Sequence, residues 1–140
     1  MNSSYDILVA GGGVSGVAAA VTAGRSGAGV LLIERDGFLG GVGYSGLFQY
    51  ICGLYLNGDA FPTVALNKGI TSEIAALLNK LSPQKTIKKM GLVYVLPYSR
   101  EDLLSVLNSL CYNEPDLTVL RNTTIVSVEK TCPVMPLNGK

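Results

Sequence analysis

Three glycines at fixed spacing, Gly11-x-Gly13-x-x-Gly16, stand between a short apolar run and an alanine-rich one, and few folds can use that arrangement. The run before them, Asp6 to Ala10 (DILVA), is apolar and bounded by glycine, so it reads as a buried strand. The run after them, Val14 to Ala23 (VSGVAAAVTA), is made of small residues suited to a helix packed tightly on a sheet. Gly24, Gly27 and Gly29 end that helix, and Val30 to Ile33 (VLLI) form a second buried strand that closes with Glu34. Strand, glycine turn, helix and strand within about 30 residues make one βαβ unit with a parallel pair.

Each part of this unit has a physical task. Gly11 lets the chain turn sharply out of the first strand, Gly13 removes a side chain so that a ligand can approach the backbone, and Gly16 lets the helix sit close to the sheet. The first helical residues, Val14, Ser15 and Gly16, present amides and the positive end of the helix dipole, an arrangement suited to a diphosphate. Seventeen residues separate Gly16 from Glu34, which places an acid at the second strand's end to accept hydrogen bonds from ribose hydroxyls. An acid there disfavours a 2′-phosphate, which argues against NADP and leaves FAD and NAD.

Composition closes off other chemistries. There is no histidine, which excludes a histidine metal site or a Ser-His pair within these 140 residues. Net charge is +1 and the longest basic run is Lys88-Lys89, so no nucleic-acid footprint is present. Cys52, Cys111 and Cys132 are widely spaced with no CxxC, and read as reduced thiols, two of them in the core, of a cytoplasmic protein. Ile7 to Gly24 lack charge over 18 positions, but glycines interrupt the stretch and MNSSYD supplies no basic flank, so a membrane span or signal peptide is not expected.

Further along, residues 37–58 are rich in glycine and aromatics and read mostly as loop. Ile70, Ile74, Leu77, Leu78 and Leu81 form one apolar stripe on a helix over Lys68 to Leu81, stopped by Ser82-Pro83. Leu92 to Leu96 (LVYVL) predicts a strand. Ser99 with Asp102 resembles a capping box and opens a helix to about Tyr112 with Leu103, Leu107 and Leu110 on one face. Two strands are then expected, Leu117 to Leu120 and Thr124 to Val128. The organisation expected is a βαβ unit over 1–41, a loop-rich insertion with a helix over 42–97, a helix and two strands over 98–129, and a tail over 130–140.

The run DILVAGGGVSGVAAAVTAGRSGAGVLLIERDGFLGG resembles the N-terminus of the FAD-dependent oxidoreductases of the glutathione-reductase-like superfamily. It is most similar to a branch in which the ribose-binding acid is followed by an RxGFLGG-type segment, here Arg35-Asp36-Gly37-Phe38-Leu39-Gly40-Gly41. The resemblance is specific over residues 5–41, looser over 98–129, and general in character between. It implies a Rossmann-like FAD/NAD(P)-binding α/β fold with a parallel sheet. It implies FAD as cofactor, with Arg35 beside the ribose-binding acid, Gly40 and Gly41 in a second loop near the pyrophosphate and flavin, and Ile125 offering backbone groups to the adenine.

Two departures from the family matter. Disulfide reductases of this superfamily carry a CxxxxC pair after the second loop, whereas GVGYSGLFQYICG holds only Cys52, which argues against dithiol chemistry. The family's fold also continues to a strand ending in Gly-Asp beside the first strand, and no such segment follows Glu129. The fold is therefore expected to be incomplete at its C-terminal end, with DILVA as an exposed apolar edge. Completion by a further domain or by a partner chain is expected, and no catalytic side chain can be assigned. The alternatives are a non-catalytic nucleotide-binding subunit, a truncated product, and an NAD-binding dehydrogenase domain.

Overall fold

A computed structural model describes residues 4–130. Its elements run β1 (Ile7–Ala10), α1 (Val14–Arg25), β2 (Val30–Ile33), α2 (Val42–Ser45), β3 (Tyr50–Ile51), α3 (Ile70–Leu81), β4 (Lys88–Met90), β5 (Val93–Pro97), α4 (Arg100–Tyr112) and β6 (Leu117–Leu120). Strands β1, β2 and β6 form a parallel sheet in the order β1-β2-β6, with Ile7 opposite Val30 and Val30 opposite Leu117. This is the α/β architecture with a parallel sheet that the glycine-punctuated first 34 residues imply.

Side-chain alternation gives the sheet two unlike faces. Val9, Val30, Leu32, Leu117 and Val119 join the core of α1, α3 and α4, where Val17, Ala20, Val21, Ile74, Leu78, Leu103, Val106, Leu107 and Leu110 are buried. The small residues of α1 explain how close it lies to the sheet: Ala20 has no exposure at all. The opposite face carries Leu8, Leu31 and Ile33, and Leu8 is 52% exposed.

Helix α4 begins as its sequence signals, because the Ser99 hydroxyl accepts the Asp102 amide at 3.2 Å. The capping box is only half closed. The Asp102 carboxylate accepts the Ser82 hydroxyl, joining the end of α3 to the start of α4. That hydrogen bond, and then the Ser99 hydroxyl, hold its carboxyl below the usual carboxylate range.

Three short elements, α2, β3 and β4, add to the sequence expectation, and one expected strand is missing. Residues 37–58 are mostly loop, as expected, with the short α2 and β3 set within it. The predicted strand at Leu92–Leu96 is β5, which lies between β3 and β4 in an antiparallel sheet. Neither β3 nor β4 exceeds three residues, too short for a periodicity to register. The strand expected over Thr124 to Val128 does not form as a ladder, and the chain there is irregular. Cys111 is buried and Cys52 is exposed, while Cys132 and the rest of the tail from residue 131 lie outside the described residues.

Candidate functional site

The site is built where β1 and β2 end side by side. Gly11 leaves β1 with φ +99°, a left-handed value that side-chain-bearing residues avoid, and its amide still bonds the Ile33 carbonyl at 2.8 Å. The chain then turns at once into α1, whose N-cap is Gly13. A Cβ on Gly16 would collide with the Gly11 carbonyl, so the third glycine is required by the fold itself. A Cβ on Gly13 would meet no protein atom within 4 Å, so open space lies beside the backbone there. Val14, Ser15 and Gly16 form the first turn of α1, where amides have no intrahelical acceptor. No acidic side chain caps this turn.

Glu34 reaches into the same turn. It is 6% exposed, one carboxylate oxygen accepts the Gly12 amide at 2.6 Å, and the other accepts the Asp36 amide at 2.8 Å. Two backbone donors thus fix the carboxylate, and an ionised carboxylate has about four acceptor positions, so acceptor capacity remains. Gly12 was not singled out from sequence, although it lies inside the motif. A Cβ there would stand 2.5 Å from Leu39 Cδ2 and 3.1 Å from Glu34 Oε2, so a side chain at this position would crowd both Leu39 and the acid.

The second glycine pair locks onto the first. Gly40 donates to the Gly12 carbonyl at 2.8 Å and forms an isolated parallel bridge with Gly13. Gly41, with φ +51°, stands at the start of α2 against the Gly13 backbone. Tyr98 donates its hydroxyl to the Gly43 carbonyl at 2.8 Å, which ties this loop to the antiparallel sheet.

On the other side of Glu34 lies an open cleft of about 240 Å³, lined by Ala10, Gly11, Ile33, Glu34, Arg35, Thr123, Thr124 and Ile125. Ile125 lines this cleft, on irregular chain rather than on the expected strand. Arg35 is 80% exposed at its rim, with Asp36 as its ion-pair partner at 3.9 Å. Thr124 was expected near the ligand only as part of the strand that carries Ile125, and Thr123 was not expected there, because it enters the site through the path of the chain after β6. Of the residues expected at the site, Gly11, Glu34, Arg35 and Ile125 line this cleft, Val14, Ser15 and Gly16 open α1, and Gly40 and Gly41 pack on Gly12 and Gly13. The arrangement offers an open cleft, an acid that lines it, and an electropositive helix end in the adjoining turn. Among the described residues no group of three or more His, Cys, Asp or Glu could hold a metal ion. No described helix is long and apolar enough to cross a membrane.

A parallel sheet with this turn, helix end and acid defines a dinucleotide-binding α/β protein of the Rossmann-like kind. Residues 6–135 match the family described as FAD dependent oxidoreductase, and the chain belongs to that family. No curated protein matches the sequence. Among solved structures, the fold is similar to PqsL from P. aeruginosa, crystallised with 2-aminobenzoylacetate, at 15% identity and a TM-score of 0.56, over 91% of this chain and 36% of that one. It is also similar to a geranylgeranyl bacteriochlorophyll reductase-like protein from Thermoplasma acidophilum, at 21% identity and a TM-score of 0.49, over 91% and 32% respectively. For THI4 from Thermovibrio ammonificans the values are 16% and 0.49, over 84% and 38%. The chain spans about a third of the length of these structures.

Proposed function

We propose that this chain holds the ADP half of FAD for a flavin-dependent oxidoreductase of the glutathione-reductase-like superfamily, in its RxGFLGG-type branch. The observation that carries the reading is the Glu34 carboxylate, held by the Gly12 amide beside an open cleft. The pyrophosphate lies over Gly11, Gly13 and the amides of Val14, Ser15 and Gly16. The ribose hydroxyls donate to Glu34, with Arg35 at the rim. The adenine enters between Ala10 and Ile125, and Gly40 and Gly41 pass close to the pyrophosphate and flavin. When bound, the flavin supplies the hydride or electron chemistry, and the protein positions it.

No described side chain is assigned a catalytic role. The work of the described residues is to bind and orient the cofactor. The cleft that receives the adenosine is open, so the 140-residue chain holds FAD weakly and purifies without a flavin absorbance band.

Amide NMR titration of the chain with ADP, FAD and NADP tests this. ADP and FAD shift the Gly11–Gly16 amides, NADP binds more weakly than either, and Glu34→Gln lowers ADP affinity about tenfold, the scale of a lost hydrogen bond to a charged group. Unmoved Gly11–Gly16 amides at saturating ADP would refute the reading.

A further inference from the structure

The chain after β6 does not continue the ladder it came from. In a parallel pair the bonds are evenly spaced. The Val30 amide bonds Asp116, and the Glu34 amide bonds Leu120, at 2.8 Å each. That period assigns the Glu34 carbonyl to the amide of residue 122. Thr123 takes it instead, at 3.0 Å, while the Asn122 amide bonds Asp36 at 3.2 Å. One extra residue has been inserted, which is a β-bulge. Asn122 has φ +53° and is the one described non-glycine residue with positive φ.

The inserted residue changes the path of the chain that follows. It also ends the pairing, which explains why Thr124 to Val128 form no strand. The residues delivered just past the bulge, Thr123, Thr124 and Ile125, line the cleft together with Ala10 and Ile33. The Asn122 side chain lies over Gly37, where a Cβ would stand 3.3 Å from Asn122 Oδ1. The glycine that follows Asp36 therefore leaves room for the bulge.

We propose that Asn122 is a positioning residue for the adenosine end of the ligand: its left-handed backbone shifts the register by one, and so places Thr123, Thr124 and Ile125 as the wall against which the base lies. This rests on the nucleotide reading above. Asparagine and glycine tolerate this conformation, whereas a β-branched residue does not. The bulge serves the base and not the phosphates, so its loss has a directional signature.

The experiment is amide NMR titration of the 140-residue chain and its Asn122→Gly and Asn122→Val variants, with ADP and with inorganic pyrophosphate, alongside thermal melts. Asn122→Gly binds both ligands as the parent does. Asn122→Val binds ADP about tenfold more weakly, the factor that strain at one left-handed residue supplies. Its pyrophosphate affinity is unchanged, which also shows that the turn at Gly11–Gly16 is intact. An Asn122→Val variant that binds ADP as the parent does overturns the proposal alone, as does one that loses ADP and pyrophosphate by the same factor. A parent chain that binds no ADP overturns the nucleotide reading and this proposal together.

Discussion

The glycines of the first turn serve two masters, and substitution separates them. Gly16 is required by the protein, since any Cβ there drives into the Gly11 carbonyl. Gly16→Ala should cost about 2 kcal/mol of stability, in the range for overpacking a close contact, seen as a lowered melting temperature by circular dichroism. Gly13 is an N-cap with φ −62° and an empty surround. Gly13→Ala should cost less than about 1 kcal/mol, the loss expected at a cap that lacks a side-chain hydrogen bond, yet weaken ADP binding in the NMR titration. Equal destabilisation by both variants would show that the fold, and not a ligand, demands Gly13. The motif spacing made Gly11, Gly13, Gly16 and Glu34 legible because each answers a local demand. Gly12 was not, because its demand comes from Leu39 and Glu34, which only the folded chain brings to it.

At the scale of elements, α1 is fastened at its C-terminal end by Arg25. Its guanidinium donates to Glu73 on α3 at 2.6 and 3.0 Å and to Glu114 beyond α4 at 2.6 Å. The Arg25 hydrogen bonds hold the Glu73 carboxyl below its ordinary value of 4.5, and Asp102 is held below its ordinary 3.8 by Ser82 first. A carboxylate depressed in the folded state stabilises above its unfolded value, and that contribution is lost as pH falls through the folded value. The melting temperature should therefore be steady at neutral pH and fall below about pH 4. Glu73→Gln should blunt that fall, and Arg25→Met should lower stability at pH 7 by about 1 kcal/mol, solvent screening keeping it small. An unchanged acid profile in Glu73→Gln would remove Glu73 from this role. The stripe of α3 was legible because helix periodicity repeats over three turns. The clamp was not, because its three partners are far apart in sequence.

For the whole molecule, the parallel sheet carries helices on one side only among the described residues, and no described strand pairs with the outer edge of β1. Parallel sheets are ordinarily covered on both faces, and an open apolar edge invites pairing with another chain. Ile7 and Leu8 are 40% and 52% exposed on that edge strand. The 140-residue chain should self-associate with rising concentration in sedimentation velocity runs, and Leu8→Lys should reduce it, because a lysine on an edge strand opposes pairing. Association undiminished in Leu8→Lys would move the contact elsewhere, for instance to the exposed Leu56, Phe61 and Val64.

The sequence by itself determined the βαβ unit, the helices α3 and α4, and the line from glycine turn to acid. These follow from local rules: periodicity, glycine's backbone freedom, and a spacing set by one helix and one strand. Tertiary structure alone decided that Gly12 clasps Glu34, that β3, β4 and β5 pair, and that a bulge at Asn122 ends the expected strand and turns Thr123 to Ile125 toward the cleft. Such features depend on which distant segments meet, and the free energy that selects them exists only once the chain has packed.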